Sequence, residues 1–146
     1  MHKRIFLTVA VFMLLAFSAS SQIYDPVTWD FGFEKKSDTV YELVFTAEIE
    51  KGSHIYAMDI PEGGPIPTSF VINPSSGFTL EGKPFEVVPP EELFDEAFGF
   101  KIKSFSNKAE FRQKITSVNA SFTVTGLVNY MSCNNTTCSP PKDVEF

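Results

Sequence analysis

Beyond residue 22 the apolar positions recur with a period of two. From residue 40 to 50, Tyr41, Leu43, Phe45, Ala47 and Ile49 alternate with Glu42, Thr46, Glu48 and Glu50, and only Val44 interrupts the polar set. Successive side chains of a strand point to opposite faces, so this segment puts one face on a core and the other in water. Phe98, Phe100 and Ile102 repeat the pattern against Gly99, Lys101 and Lys103. Phe111 and Ile115 mark a less regular strand, and Phe122, Val124, Val128 and Tyr130 define one that leads into Cys133. Shorter runs predict strands at residues 28–33, 54–58, 69–73, 78–81 and 143–146.

Turn residues separate these runs, among them Lys51-Gly52, Gly63-Gly64-Pro65, Asn73-Pro74, Gly82-Lys83-Pro84 and Asn107. Short strands broken this often predict an all-β sandwich and not a parallel α/β sheet. The single helix expected is residues 90–98, where Leu93, Phe94, Ala97 and Phe98 cluster at helical spacing. An acidic loop that tucks its aromatics inward fits the same residues. No repeat, low-complexity tract or linker divides the chain.

The N-terminus changes this picture. His2, Lys3 and Arg4 precede an apolar run from Ile5 to Phe17, and Ala19 and Ser21 suit the −3 and −1 positions of a cleavage site before Gln22. Thirteen residues fit the hydrophobic region of a signal peptide and fall short of the roughly 20 that a membrane-spanning helix needs. Residues 1–21 therefore read as a signal peptide, leaving 22–146 as one exported domain with no further membrane span. Its loss removes two cations and no acid, taking the net charge from −6 to −8. A surface this acidic argues against binding nucleic acid or anionic lipid by charge.

Export makes the cysteine usage informative, because disulfides persist outside the cytosol. Cys133 and Cys138 are the only two, five positions apart in a turn-like segment rich in Asn, Thr and Pro. In the chain-entropy model a ring of about 6 residues stabilises by about 2 kcal/mol, against nearly 5 for a ring of about 100. So small a ring is a poor staple, which points to a bond meant to open and close. An inert disulfide pinning a hairpin end is the competing reading. The spacing is not C-x-x-C, and no helix start follows to lower a thiol pKa.

Gly126-Leu-Val-Asn-Tyr-Met-Ser-Cys133, followed by Cys138-Ser-Pro140-Pro141, resembles the active-site hairpin of the N-terminal periplasmic domain of the thiol:disulfide interchange protein family DsbD. Phe94-Asp95-Glu96-Ala97-Phe98-Gly99 resembles that family's cap loop, and His54-Ile55-Tyr56 with Gly63-Gly-Pro-Ile-Pro67 is similar further upstream. The likeness covers essentially residues 22–146. It implies an immunoglobulin-like antiparallel β-sandwich with the cysteine pair at a hairpin end. It also implies electron relay from a thioredoxin-like domain to thioredoxin-fold partners, including disulfide isomerases and cytochrome c maturation factors. By position, Cys138 matches the cysteine that joins partners and Cys133 its resolving mate. Phe94, Asp95, Glu96, Phe98 and Gly99 match the shielding cap, and Tyr130, Pro140 and Pro141 flank the pair. Two departures stand out. Four residues separate the cysteines, one fewer than in the best-known members, and Ala97 occupies the place of an expected aromatic, with Phe98 next.

Other chemistry finds little support. His54, the only histidine after the signal, lies in an apolar run and reads as a packed or edge residue. One His and two Cys lack the fourth ligand of a structural zinc site, and no Ser-His-Asp, phosphate-loop or dinucleotide pattern occurs. No cofactor or metal is expected. The chain thus reads as a periplasmic exchange module, the alternative being a non-catalytic secreted β-sandwich that binds a partner and carries a structural disulfide.

Overall fold

The computed structural model describes residues 25–95 and 98–146, so the expected signal peptide lies outside the described residues. The strands are β1 (Val27–Lys35), β2 (Val40–Ile49), β3 (Ser53–Tyr56), β4 (Ser69–Ile72), β5 (Phe78–Glu86) and β6 (Glu91–Asp95). They continue with β7 (Phe100–Ser106), β8 (Lys108–Ser117), β9 (Gly126–Tyr130), β10 (Ser132–Asn134) and β11 (Lys142–Glu145). Among the described residues there is no helix, and every named strand pair is antiparallel. One sheet runs β1-β2-β8-β5, a second β10-β3-β7-β6 and a third β11-β9-β4. β9 and β10 are separated only by Met131, so one stretch of chain passes from the third sheet into the second.

The alternation in β2 determines the layering. Leu43, Phe45, Ala47 and Ile49 are buried, and Ala109, Phe111 and Ile115 of the adjacent β8 join them. From the facing sheets come Ile55, Phe105 and Tyr130, with Phe70, Val144 and Phe146 packed against them. Aromatic rings fill the space between: Phe45 and Phe70 lie 4.6 Å apart, Phe70 and Phe111 5.2 Å, and Trp29 and Tyr130 5.5 Å. This is the antiparallel β-sandwich expected from the periodicity, immunoglobulin-like as the family resemblance implies.

Three expectations need correction. The described residues of 90–98 form no helix: Glu91–Asp95 is an edge strand paired residue by residue with β7. A short edge strand exposed on both sides has no core to impose alternation, so adjacent Leu93 and Phe94 imitate a helical cluster. The last long strand begins at Gly126 and not at Phe122; Phe122 and Val124 still pack against the core from irregular backbone. Phe98 precedes β7, in the turn that Gly99 completes with φ of 76°. Gly126 marks a close approach, since a Cβ there would stand 2.3 Å from the Val71 carbonyl oxygen.

Phe45, 1% exposed and in contact with three other rings, carries the core. Phe45→Ala is expected to lower unfolding free energy by about 3–5 kcal/mol. Phe33→Ala, at a ring 72% exposed, should stay within about 0.5 kcal/mol. Urea denaturation of both variants checks the contrast.

Candidate active site: a half-buried disulfide beside a tyrosine

Chain reversal at residues 134–137 brings the two cysteines together. The Asn134 carboxamide oxygen accepts from the Thr136 N–H at 2.9 Å, the Thr136 hydroxyl at 2.9 Å and the Thr137 N–H at 3.0 Å. The Asn134 N–H donates to the Thr137 carbonyl at 2.9 Å, and Ser139 N–H to the Ser132 carbonyl at 2.8 Å. A side chain that satisfies a turn's own backbone is what makes Asn a turn residue. Cys133 and Cys138 are bonded across this hairpin end, with Cα atoms 4.0 Å apart. The sulfurs differ in access: Cys133 is 3% exposed, whereas Cys138 is an exposed residue.

Strand register places Cys133. β10 pairs with β3 so that Cys133 lies opposite His54 and Ser132 opposite Ile55. Ile55 is directed to the main core, and its neighbours His54 and Tyr56 therefore turn to the outer face with Cys133. There Tyr56, Ile102 and Cys133 form a small second cluster, against which Ile60, Phe98, Phe100 and Met131 pack.

The Tyr56 hydroxyl donates to Cys133 Sγ at 2.9 Å. Burial, and next the charge of Asp95, push the Tyr56 pKa up to about 12, so it remains an O–H donor throughout the neutral range. His54 Nε2 lies 3.3 Å from the same hydroxyl, and the two rings meet edge to face at 5.2 Å. Burial lowers the His54 pKa below its ordinary 6.5, while Asp95 pulls it back upward. Residue spacing does not reveal this association, because the β3–β10 register that creates it is a tertiary fact. His54 is packed, as expected, but in an interior strand and beside the disulfide.

The remaining expected residues fall in two places. Asp95 ends β6; its Oδ1 accepts from Phe98 N–H at 3.3 Å and its carbonyl from Gly99 N–H at 2.8 Å. Phe94 is 63% exposed, whereas Phe98 is partly buried against the cluster of Cys133. Glu96 and Ala97 lie outside the described residues. His54, Tyr56, Phe94 and Asp95 share a groove of about 400 Å³ with Ile102 and Asn135. Tyr130, by contrast, faces the main core and donates to Asp25 at 3.0 Å. With Pro140, Pro141, Ser132 and Ser139 it lines a smaller groove on another side of the hairpin. No group of three or more His, Cys, Asp or Glu among the described residues is arranged to hold a metal.

The arrangement can do thiol–disulfide chemistry. It offers an exposed cysteine, a bonded neighbour within a closed hairpin, and a hydrogen-bond donor on the sulfur of the buried one. Residues 21–146 match the model of the family described as the thiol:disulfide interchange protein DsbD, N-terminal. The chain belongs to this family. Among curated proteins none matches it. Among solved structures, the reduced N-terminal domain of Neisseria meningitidis DsbD is similar at 20% identity and a TM-score of 0.54, over 83% of this chain and 82% of that one. The N-terminal periplasmic domain of Proteus mirabilis ScsB is similar at 15% identity and a TM-score of 0.61, over 84% of this chain and 45% of that one. A third structure holds the N-terminal domains of DsbD and PilB from Neisseria meningitidis in complex; it matches at 19% identity and a TM-score of 0.54, over 86% of this chain and 87% of that one. At these identities the likeness shows the fold, and membership of the DsbD family rests on the family model.

The hairpin end has its own hydrogen bonds, and the main aromatic core lies apart from the disulfide. Reduction is expected to leave the sandwich folded, at a cost of about 2 kcal/mol or less for so small a ring. Thermal unfolding of the oxidised and reduced protein measures it; a reduced form unfolded at room temperature would make the bond a staple.

Proposed function

We propose that the chain is an exported, periplasmic thiol–disulfide exchange module that relays electrons through Cys133 and Cys138 to thioredoxin-fold partner proteins. The observation that carries this reading is the unequal burial of two bonded sulfurs in a member of the DsbD N-terminal family. A partner's sulfur reaches the exposed one. Its buried neighbour, 3% exposed, lies within bonding distance to displace the partner afterwards.

In the reduced module, Cys138 thiolate attacks the partner's disulfide, forming a mixed disulfide and releasing one partner thiolate. Cys133 thiolate then attacks Cys138 Sγ, and the second partner thiolate leaves. The partner gains two electrons and, after protonation, two thiols; the module is left with its Cys133–Cys138 disulfide. A donor dithiol, supplied in this reading by a thioredoxin-like domain, runs the same steps in reverse. Disulfide isomerases and cytochrome c maturation factors are the acceptors proposed. The complex of DsbD and PilB N-terminal domains supports a protein partner of this domain type.

Residues 94–99 act in this proposal as a cap over the pair. Phe98 supplies apolar cover from within the Cys133 cluster, and Gly99, with positive φ, is a position where the turn can flex. Asp95 and Glu96 contribute negative charge, which disfavours a nearby thiolate and slows the resting dithiol.

Cys133→Ser is expected to trap a covalent complex with a thioredoxin-fold protein carrying an oxidised C-x-x-C, and Cys138→Ser to trap none, on a non-reducing gel. The opposite pattern would reverse the two roles, and no complex with either would favour an inert disulfide. Phe98→Ala is expected to speed alkylation of the reduced cysteines by iodoacetamide with little loss of stability. Unchanged alkylation with a loss of about 3 kcal/mol or more would make Phe98 part of the packing alone.

A further inference from the structure

The Tyr56 hydroxyl has one hydrogen and two neighbours that can receive it. Cys133 Sγ lies 2.9 Å away and His54 Nε2 3.3 Å away. If Nε2 is bare, it competes with the sulfur for that hydrogen. If Nε2 carries a hydrogen, it donates to the tyrosine oxygen, and the tyrosine hydrogen is left for the sulfur. A protonated imidazole has hydrogens on both nitrogens, so only the second arrangement is open to it. We propose that His54 is a positioning residue that sets, through Tyr56, how readily Cys133 leaves or rests as a thiolate, making exchange at this disulfide respond to pH through one imidazole.

The inference rests on Cys133 being the departing sulfur of the exchange reaction proposed above. When a nucleophile attacks exposed Cys138, the S–S bond breaks and its electron pair goes to Cys133. Negative charge then develops within reach of the Tyr56 hydroxyl. A hydrogen bond to an ionised acceptor is roughly twice as strong as one between neutral groups. The same donor with a cationic imidazole behind it is more polarised still, since hydrogen bonds in a chain reinforce one another. A better-stabilised leaving thiolate departs faster.

The surroundings of His54 make it fit to titrate in this role. β10 contributes Cys133 opposite it and β7 contributes Ser106. β6 contributes Asp95, which with His54 and Tyr56 completes the titratable groups of the groove among the described residues. Burial depresses the imidazole's affinity for protons and Asp95 partly restores it, so the change falls below pH 6.5. The sign follows. Above this range His54 is neutral and its two tautomers compete for Tyr56; below it, donation toward Cys133 is enforced.

A small reductant isolates the effect from any partner. Tris(2-carboxyethyl)phosphine attacks one sulfur of a disulfide and expels the other as a thiolate. Water then converts the phosphonium adduct to phosphine oxide and the second thiol. The pH dependence of the phosphine itself cancels in the ratio of the wild-type rate to that of His54→Gln, which keeps a neutral donor that does not titrate. We expect the ratio to rise about threefold or more as pH falls from 7.5 to 4.5. Its midpoint should match that of the His54 imidazole followed by NMR. His54→Phe, which removes the donor, should be slower than wild type at low pH and equally free of the step. A ratio that stays flat while His54 titrates, or an imidazole that does not titrate in this range, overturns the inference. A step in the ratio without any exchange with thioredoxin-fold proteins would uphold the inference and overturn the proposed partners. A disulfide that resists the phosphine in the folded wild type and variants alike overturns both.

Discussion

The pairing of β10 with β3 is the constraint on which this site depends. Only three residues of β10 take part, and they set Cys133 opposite His54. Because strand side chains alternate, a slip of one residue would exchange the faces of Ser132 and Cys133 and turn the sulfur toward the main core. Ile55, wholly buried between His54 and Tyr56, opposes such a slip from the other strand. The core thus determines a register that the site then uses. The Tyr56–Cys133 hydrogen bond, the packing of Phe98 against the Cys133 cluster and the groove beside Asp95 all follow from that one alignment.

The same geometry separates folding from chemistry. The aromatic layer around Phe45, Phe70 and Phe111 lies between the sheets, while Cys133 belongs to the outer cluster with Tyr56 and Ile102. Ile55 faces one and its two neighbours the other, so β3 is the partition between them. The S–S bond belongs to neither the inner layer nor the hydrogen bonds of the Asn134 turn. A small ring, which made the bond weak as a staple, also lets it open without releasing a long loop.

Much of this was legible in the residues because local rules and tertiary demands agree there. β2 is read from its alternation almost to the residue, since one face meets the core and the other water. The cysteines declared themselves through ring size and family likeness. What was not legible has a common physical origin. β6 is an edge strand whose conformation comes from the backbone of β7, so Leu93 and Phe94 carried no period of two. Phe122 and Val124 reach the core without ladder hydrogen bonds, and alternation alone does not distinguish that from a strand. His54 and Tyr56 belong to a segment that resembles the family, yet their approach to Cys133 depends on pairing across 77 residues of chain.

In the proposed reaction two influences would act on a Cys133 thiolate, and their ranges differ. The Tyr56 hydroxyl acts by direct contact from a buried position, and a hydrogen bond to a charged group contributes about 1.5–3 kcal/mol. Asp95 acts by charge across a groove open to water. Two unit charges 4 Å apart interact by about 1 kcal/mol in water and about 4 kcal/mol at the effective dielectric of a protein surface, less at greater separation and less again in salt. Contact donation therefore holds its strength under conditions where the carboxylate's opposition fades. The two also differ in what removes them. If residues 94–99 act as the proposed cap, displacing them takes the charge of Asp95 away from Tyr56 and His54, whereas Tyr56 is held in β3 between β10 and β7. In the proposed exchange reaction, a partner that displaced these residues would subtract the unfavourable charge and leave the favourable donor in place, coupling access to the sulfurs with the ease of forming the Cys133 thiolate.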